Sequence, residues 1–147
     1  MGNKNRKPPC LAVGAIIKNK KGEYLTLYRL KRPLGLAFPA GHVEIGEAPL
    51  DAFKREVFEE TGLRVKRSIF VLSFTMSLKF FCDRGAKKHR WYVYKVLEYS
   101  GKAYTKEKKK HSGVKFMSPK RIRDYIEKGD IDPSWVEIFN RLKIMKG

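Results

Sequence analysis

Cysteine is scarce in this chain: its 147 residues hold two, Cys10 and Cys82, and neither belongs to a CxxC pair. That excludes a disulfide framework and argues against a zinc knuckle, leaving two small thiols as the expectation. Histidine is scarce too. His42, His89 and His111 show no ligand spacing and receive no role. No apolar run approaches the roughly 18 residues that a membrane-spanning helix needs. Residues 1–9 are charged and lack the apolar stretch of a signal peptide, and Arg6 stands where a myristoylation signal after Gly2 wants Ser or Thr. A cytoplasmic protein without membrane contact is the expectation. There is no internal repeat and no linker long enough to divide the chain, so residues 1–9 read as a basic tail and 10–147 as one domain.

Acids are also few. Fifteen Asp and Glu stand against 33 Lys and Arg, a formal net charge of +18. Such a surface suits a polyanion: a nucleotide, a nucleic acid or another phosphate-rich ligand. Hydrophobic residues make up 42% of the chain, enough to exclude a disordered polycation. The acids present are not spread evenly. Residues 41 to 63 hold six of them (Glu44, Glu47, Asp51, Glu56, Glu59, Glu60) and only two strong bases, Lys54 and Arg55. Carboxylates gathered this way repel one another unless they are solvated or a cation sits among them.

The local pattern predicts strands at Leu11–Ile17 and Glu23–Leu30, joined as a hairpin through the turn Lys18–Gly22. A short strand is expected at Leu36–Phe38, cut by Pro39. Pro49–Thr61 reads as a helix, with Pro in the first turn and Gly62 as its stop. Val65–Phe81 reads as two strands or one bent strand, Cys82–Gly85 as a turn, His89–Leu97 as a return strand, Lys102–His111 as a basic loop and Val114–Met117 as a last short strand. Ser118 caps a helix that runs to about Lys128, and Asp132-Pro133 starts another that ends near Met145. The order strands, helix, strands, helices makes an α+β sandwich rather than a regular βαβ wind.

On a wheel of about 100° per residue, Glu60 lies near +40° and Glu59 near −60° of Glu56, so three carboxylates share one face of the central helix. Leu50, Phe53 and Val57 form a separate apolar stripe that can dock on a sheet, and Arg55 flanks the acids. Carboxylates at i, i+3 and i+4 suit hard divalent cations such as Mg²⁺ and Mn²⁺. Such triples are also common on solvated helix faces, so spacing alone does not identify a metal site. The segment before the helix adds weight. Phe38-Pro39-Ala40-Gly41-His42 reads as a loop with tight turns, and Gly46-Glu47 adds a carboxylate.

Taken together, GHVEIGEAPLDAFKREVFEETGL at residues 41–63 resembles the Nudix box: Gly, five residues, Glu, seven residues, Arg-Glu, an aliphatic, any residue, Glu-Glu, any residue, Gly, aliphatic. Gly41, Glu47, Arg55, Glu56, Val57, Glu59, Glu60, Gly62 and Leu63 fill the places, and the resemblance extends over about residues 10 to 145. It implies the Nudix fold, an α/β/α sandwich with a mixed β-sheet and the box as a loop-helix-loop. It further implies that Glu56, Glu59 and Glu60 hold Mg²⁺ or Mn²⁺, with Glu56 also the base toward water and the Ala40 carbonyl a further ligand. By the same likeness Arg55 holds the carboxylates in place, Glu47 braces the loop and Arg29 meets substrate phosphates. Glu107 is the best match to a late glutamate that many members carry. One departure is Ala48, where the family often has a Ser or Thr cap.

The resemblance implies hydrolysis of a nucleoside diphosphate linked to another group X. Residues 64 to 90 contain neither the Pro of ADP-ribose enzymes nor the Tyr of diadenosine polyphosphate enzymes. A MutT-like enzyme acting on a (d)NTP is the plainest reading. The lysine runs at 105–111 and 87–90, each read alone as a solvated loop, lie near Trp91 and Tyr92 and give an RNA 5′-end, decapping-type reading beside it. Phe38, Phe81 and Trp91 could stack a base, though each such aromatic is more often core. A non-catalytic nucleotide sensor is the third, and the intact box favours catalysis over it. A monomer or homodimer is expected.

Overall fold

The computed structural model describes residues 8–78, 82 and 84–145. Most of the N-terminal tail, Phe81 and Asp83 of the expected turn lie outside the described residues. The elements run β1 (Cys10–Ile16), β2 (Tyr24–Arg29), β3 (Gly35–Ala37), β4 (Ala40–His42), α1 (Pro49–Thr61), β5 (Arg64–Ser77), β6 (Lys88–Ser100), β7 (His111–Met117), α2 (Pro119–Lys128) and α3 (Pro133–Leu142).

β1 is apolar at nearly every position because it is buried on both faces. It lies inside a mixed four-stranded sheet of order β4-β1-β6-β5, parallel to β6 and antiparallel to β4. A second, antiparallel sheet has the order β3-β2-β7. The expected β1–β2 hairpin is therefore reduced to its turn. Asn19 Oδ1 accepts the Lys21 and Glu23 amides, and Leu25 N–H donates to the Ile17 carbonyl, after which the strands enter different sheets. The reason is competition: β4 and β6 occupy both edges of β1. β5 is one strand, with register shifts at Val65/Arg67, Arg67/Ser68 and Phe70/Leu72, in place of two.

The alternation along β1 separates two cores. Val13, Ala15 and Ile17 cluster with Ala52, Phe53 and Val57 of α1 and with Tyr94 and Val96 of β6. Phe53 stacks on Tyr94 at 4.7 Å between ring centroids. Ala12 and Ile16 belong instead to a cluster with Ile122 of α2 and Trp135, Ile138 and Phe139 of α3. Gly14 lies on this side because Trp135 presses on it: a Cβ there would come within 2.8 Å of the indole. Helices on both faces of a mixed sheet make the expected α/β/α sandwich. Leu50, expected in the apolar stripe of α1, is 40% exposed because the first turn of the helix overhangs the sheet.

Phe38 and Trp91 are core residues, the commoner of the two places open to such aromatics. Phe38 packs on Trp135 at 4.9 Å, Trp91 meets Trp135 edge-on at 5.8 Å, and both are buried. Among the described residues no helix is long and apolar enough to cross a membrane.

α1 begins at Pro49 and ends at Thr61, as local signals predict. Gly62 closes it in the left-handed region at φ 82°, where a non-glycine residue is strained. Its N-cap, Ala48, makes no side-chain capping bond, whereas Ser118 of α2 accepts the Arg121 amide and Asp132 of α3 accepts that of Ser134. Ala48→Ser is expected to raise stability by about 1 kcal/mol, read as a higher denaturant midpoint at unchanged m-value. A variant no more stable than the parent would show that the cap is satisfied in another way.

Candidate active site

The strand pairs place the box. β4 is held on β1 through Val13↔Gly41, and the Ala15 amide donates to the Pro39 carbonyl at 2.9 Å. α1 then runs beneath β4. Gly41 faces Glu56 so closely that a Cβ there would collide with the Glu56 carboxylate. The glycine is needed for room rather than for a tight turn. The turn itself falls at Gly46, φ 80°.

Arg55 ties the loop to the helix. Its Nε and Nη2 donate to the two Glu47 oxygens at 2.8 and 2.9 Å, and Nη2 also reaches the His42 carbonyl at 3.0 Å. Nη1 donates to Glu56 Oε1 at 2.8 Å and to Glu59 Oε2 at 3.1 Å. The bidentate pair with Arg55, aided by the Glu44 backbone bond, holds the Glu47 carboxyl down to about 2. Glu56 behaves oppositely: burial, helped by the neighbouring charges of Glu59 and Glu107, outweighs Arg55 and pushes its carboxyl up to about 7.

Glu60 is buried. Its Oε1 accepts the Ala40 amide at 2.7 Å, and its Oε2 lies 3.1 Å from His111 Nε2. Burial first, then Glu56 and Glu107, raise its carboxyl well above the usual range. Burial and the Arg29 charge lower His111 to about 4. Both shifts run against the charged forms, the direction that weakens an ion pair between them. Glu107 joins them because the turn 107–110 closes on its own carbonyl, which accepts the Lys110 and His111 amides at 3.0 Å. One ligand atom each from Glu60, Glu107 and His111 lies within 4.8 Å of the others.

The expected glutamates are thus brought together unevenly. Glu56 and Glu59 are tied to Arg55, while the tightest cluster pairs Glu60 with Glu107 and with His111, which sequence reasoning assigned no role. The available signal was its place four residues after Glu107, at the start of β7. Arg29 lies beside this cluster, in register with His111 across β2 and β7, and donates to the Pro33 and Arg32 carbonyls. Carboxylates that raise one another's proton affinity in a buried cluster are short of positive charge. The donors are mainly oxygens, the chemistry of hard divalent ions, so this cluster can hold a metal.

A profile of the NUDIX domain matches residues 8–136. The chain belongs to the Nudix hydrolase family. It is 35% identical over 86 residues to an RNA pyrophosphohydrolase of Hamiltonella defensa, covering 58% of this chain and 44% of that protein. It is 34% identical over 99 residues to an 8-oxo-dGTP diphosphatase of Buchnera aphidicola, covering 66% and 69%. The chain thus spans less than half the length of the first of these curated relatives. In structure it resembles a MutT Nudix hydrolase of Burkholderia pseudomallei, with TM-score 0.67 and 22% identity over 78% of this chain and 86% of that one, a likeness of fold.

The raised Glu56 carboxyl sets a pH dependence. The folded state holds this proton more tightly than the unfolded chain, so the contribution is full below 4.5 and is lost as pH rises through about 7. In chelator-treated protein, Glu56→Gln is expected to flatten this part of the fall in urea midpoint. A slope identical to that of the parent would remove Glu56 as its source.

Proposed function

We propose that the chain hydrolyses a phosphoanhydride bond in a nucleoside diphosphate linked to another group, most directly a (d)NTP, with Mg²⁺ or Mn²⁺ as cofactor. The observation that carries this reading is the gathering of Glu56 and Glu59, clamped by Arg55, beside the Glu60–Glu107–His111 group in a chain of the Nudix family. Glu56, Glu59 and Glu60 would hold the cation, with Glu107 and the Ala40 carbonyl as further oxygens. When bound, a divalent cation supplies charge neutralisation at the polyphosphate and a lowered pKa for bound water.

The chain's own groups do the rest. Glu56 Oε1 is engaged by Arg55, so Oε2 is the atom proposed to take the proton of the attacking water. A carboxyl near 7 is matched to that task at neutral pH. Arg55 orients Glu56 and Glu59 and braces them on Glu47. Arg29, at the same edge as His111, is proposed to face the substrate phosphates. Residues 10–147 act as one domain in this reading, which takes the protein to be cytoplasmic.

The name of the Hamiltonella relative and the charge of +18 favour a second reading, a pyrophosphohydrolase of RNA 5′ ends. It rests on charge rather than stacking, because Trp91 is buried and the Arg90 guanidinium lies 5.9 Å from the Tyr92 ring centroid.

A panel of nucleoside triphosphates, 8-oxo-dGTP and 5′-triphosphorylated RNA, assayed with Mg²⁺ or Mn²⁺ and product identification, separates the two. Glu56→Gln should lower kcat by roughly 100-fold or more, and Glu59→Gln or Glu60→Gln should stop turnover by removing ligand charge. Saturable binding without product would replace the enzyme by a sensor. If surface lysines capture the substrate, KM rises with ionic strength at constant kcat. A flat KM would remove that role and leave the chemistry intact.

A further inference from the structure

A second constellation lies on the far side of β4 from the carboxylates. Cys10 opens β1, His42 ends β4 and His89 stands near the start of β6, directly across from Cys10 in the parallel register. Cys82 comes from the β5–β6 connection. Its amide donates to the Ala86 carbonyl at 2.9 Å and its carbonyl accepts from Gly85 at 2.7 Å. Arg84 docks this turn on the box loop, through Nη1 to the Val43 carbonyl at 3.3 Å and Nη2 to Glu44 at 2.7 Å. Residues 72 apart in sequence are thereby brought to an Sγ···Sγ distance of 3.4 Å.

One ligand atom each of Cys10, His42 and Cys82 lies within 4.8 Å of the others, and the Nε2 atoms of His42 and His89 are 3.4 Å apart. A tetrahedral zinc site with Zn–S near 2.3 Å and Zn–N near 2.05 Å has edges of about 3.8 Å between sulfurs and about 3.3 Å between nitrogens. The histidine pair matches its edge and the thiol pair is about 0.4 Å shorter than its own; the group within 4.8 Å comprises Cys10, His42 and Cys82, and His89 adjoins it through His42. His89 is half-buried, and its other nitrogen, Nδ1, is buried without a hydrogen-bond partner among the described residues. A cavity of about 330 Å³ lined by Cys10, His42, Glu47 and Arg84 provides an entry path.

We propose that Cys10, Cys82 and His42, with His89 as the fourth donor, form a structural zinc site distinct from the carboxylate cluster. Two thiolates and two imidazoles are a soft donor set that selects zinc over the Mg²⁺ or Mn²⁺ suited to carboxylates. The two thiols give up their protons to solvent on binding, and the resulting thiolates match the ion's charge. A coordinated metal ion deprotonates such thiols outright. The ion would pin β1, β4 and the 82–87 turn together. Because the His42 carbonyl receives Arg55 and the next residue back, Gly41, packs on Glu56, the pin would also steady the wall of the carboxylate cluster.

The test uses the full chain, reduced and stripped with chelator, titrated with Co²⁺ as a spectroscopic stand-in. The expected result is thiolate-to-cobalt charge transfer and the intense visible bands of a tetrahedral site that saturate at about one ion per chain and are displaced by Zn²⁺, any cobalt on the carboxylates adding no thiolate charge transfer. Cys10→Ser, Cys82→Ser and His42→Ala should lose or weaken this signal while keeping the circular dichroism of the metal-free parent. Glu60→Gln should retain it whether or not its hydrolytic activity is lost, which separates this site from the proposed catalytic one. Zinc should raise the thermal midpoint of the parent and not of Cys10→Ser. Absence of thiolate charge transfer in the reduced parent, or a Cys10–Cys82 disulfide forming in place of metal uptake, would overturn the proposal.

Discussion

The arrangement depends on Arg55. Its side chain touches both halves of the box, the loop through Glu47 and the His42 carbonyl and the helix through Glu56 and Glu59. Carboxylates packed on one helix face repel each other, and without a shared cation they would splay or take up protons. A guanidinium offers several donors in a rigid fork, so one residue can hold three carboxylates where an ammonium would hold them less specifically. Its engagement leaves Glu56 fixed against the Cα of Gly41, which explains why the strand opposite the helix carries a glycine there.

The protein keeps its charges in two regimes. Most lysines are solvated and set the long-range field, whereas Glu56 and Glu60 lie in a poorly solvated cleft where neighbouring charges act strongly. Lysines at the boundary are used locally. Lys106 sits 3.7 Å from the Phe58 ring centroid and Lys110 pairs with Glu107 at 3.4 Å, so part of the lysine-rich loop is packed onto α1 and the site. A cationic exterior thus surrounds an anionic cleft, a field that draws polyanions to the surface and leaves the carboxylates short of positive charge.

β1 makes this geometry possible. It gives alternate residues to two cores, so α1 is pressed against one face of the sheet and α3 against the other. With both edges also paired, β1 serves as the reference against which β4, and hence the Ala40 amide on Glu60, is placed. Beyond Cys10 at its start, the side chains of this strand serve packing, and a change of register would turn its two apolar sets to the wrong faces.

Some of this was written locally. The bounds of α1, its missing cap, the closing Gly62 and the shared face of Glu56, Glu59 and Glu60 follow from signals within a few residues of each site, since helix geometry and capping are short-range. Glu107 was legible only as the best of several positions in a loop without periodicity. The separation of β1 from β2, the burial of Phe38 and Trp91, the entry of His111 among the carboxylates and the meeting of Cys10 with Cys82 were decided by the tertiary structure alone. Each depends on strand pairing and packing between residues far apart along the chain. In one sequence the two cysteines, His42 and His89 carry no spacing signal, because the sheet and not the interval between them brings their side chains together.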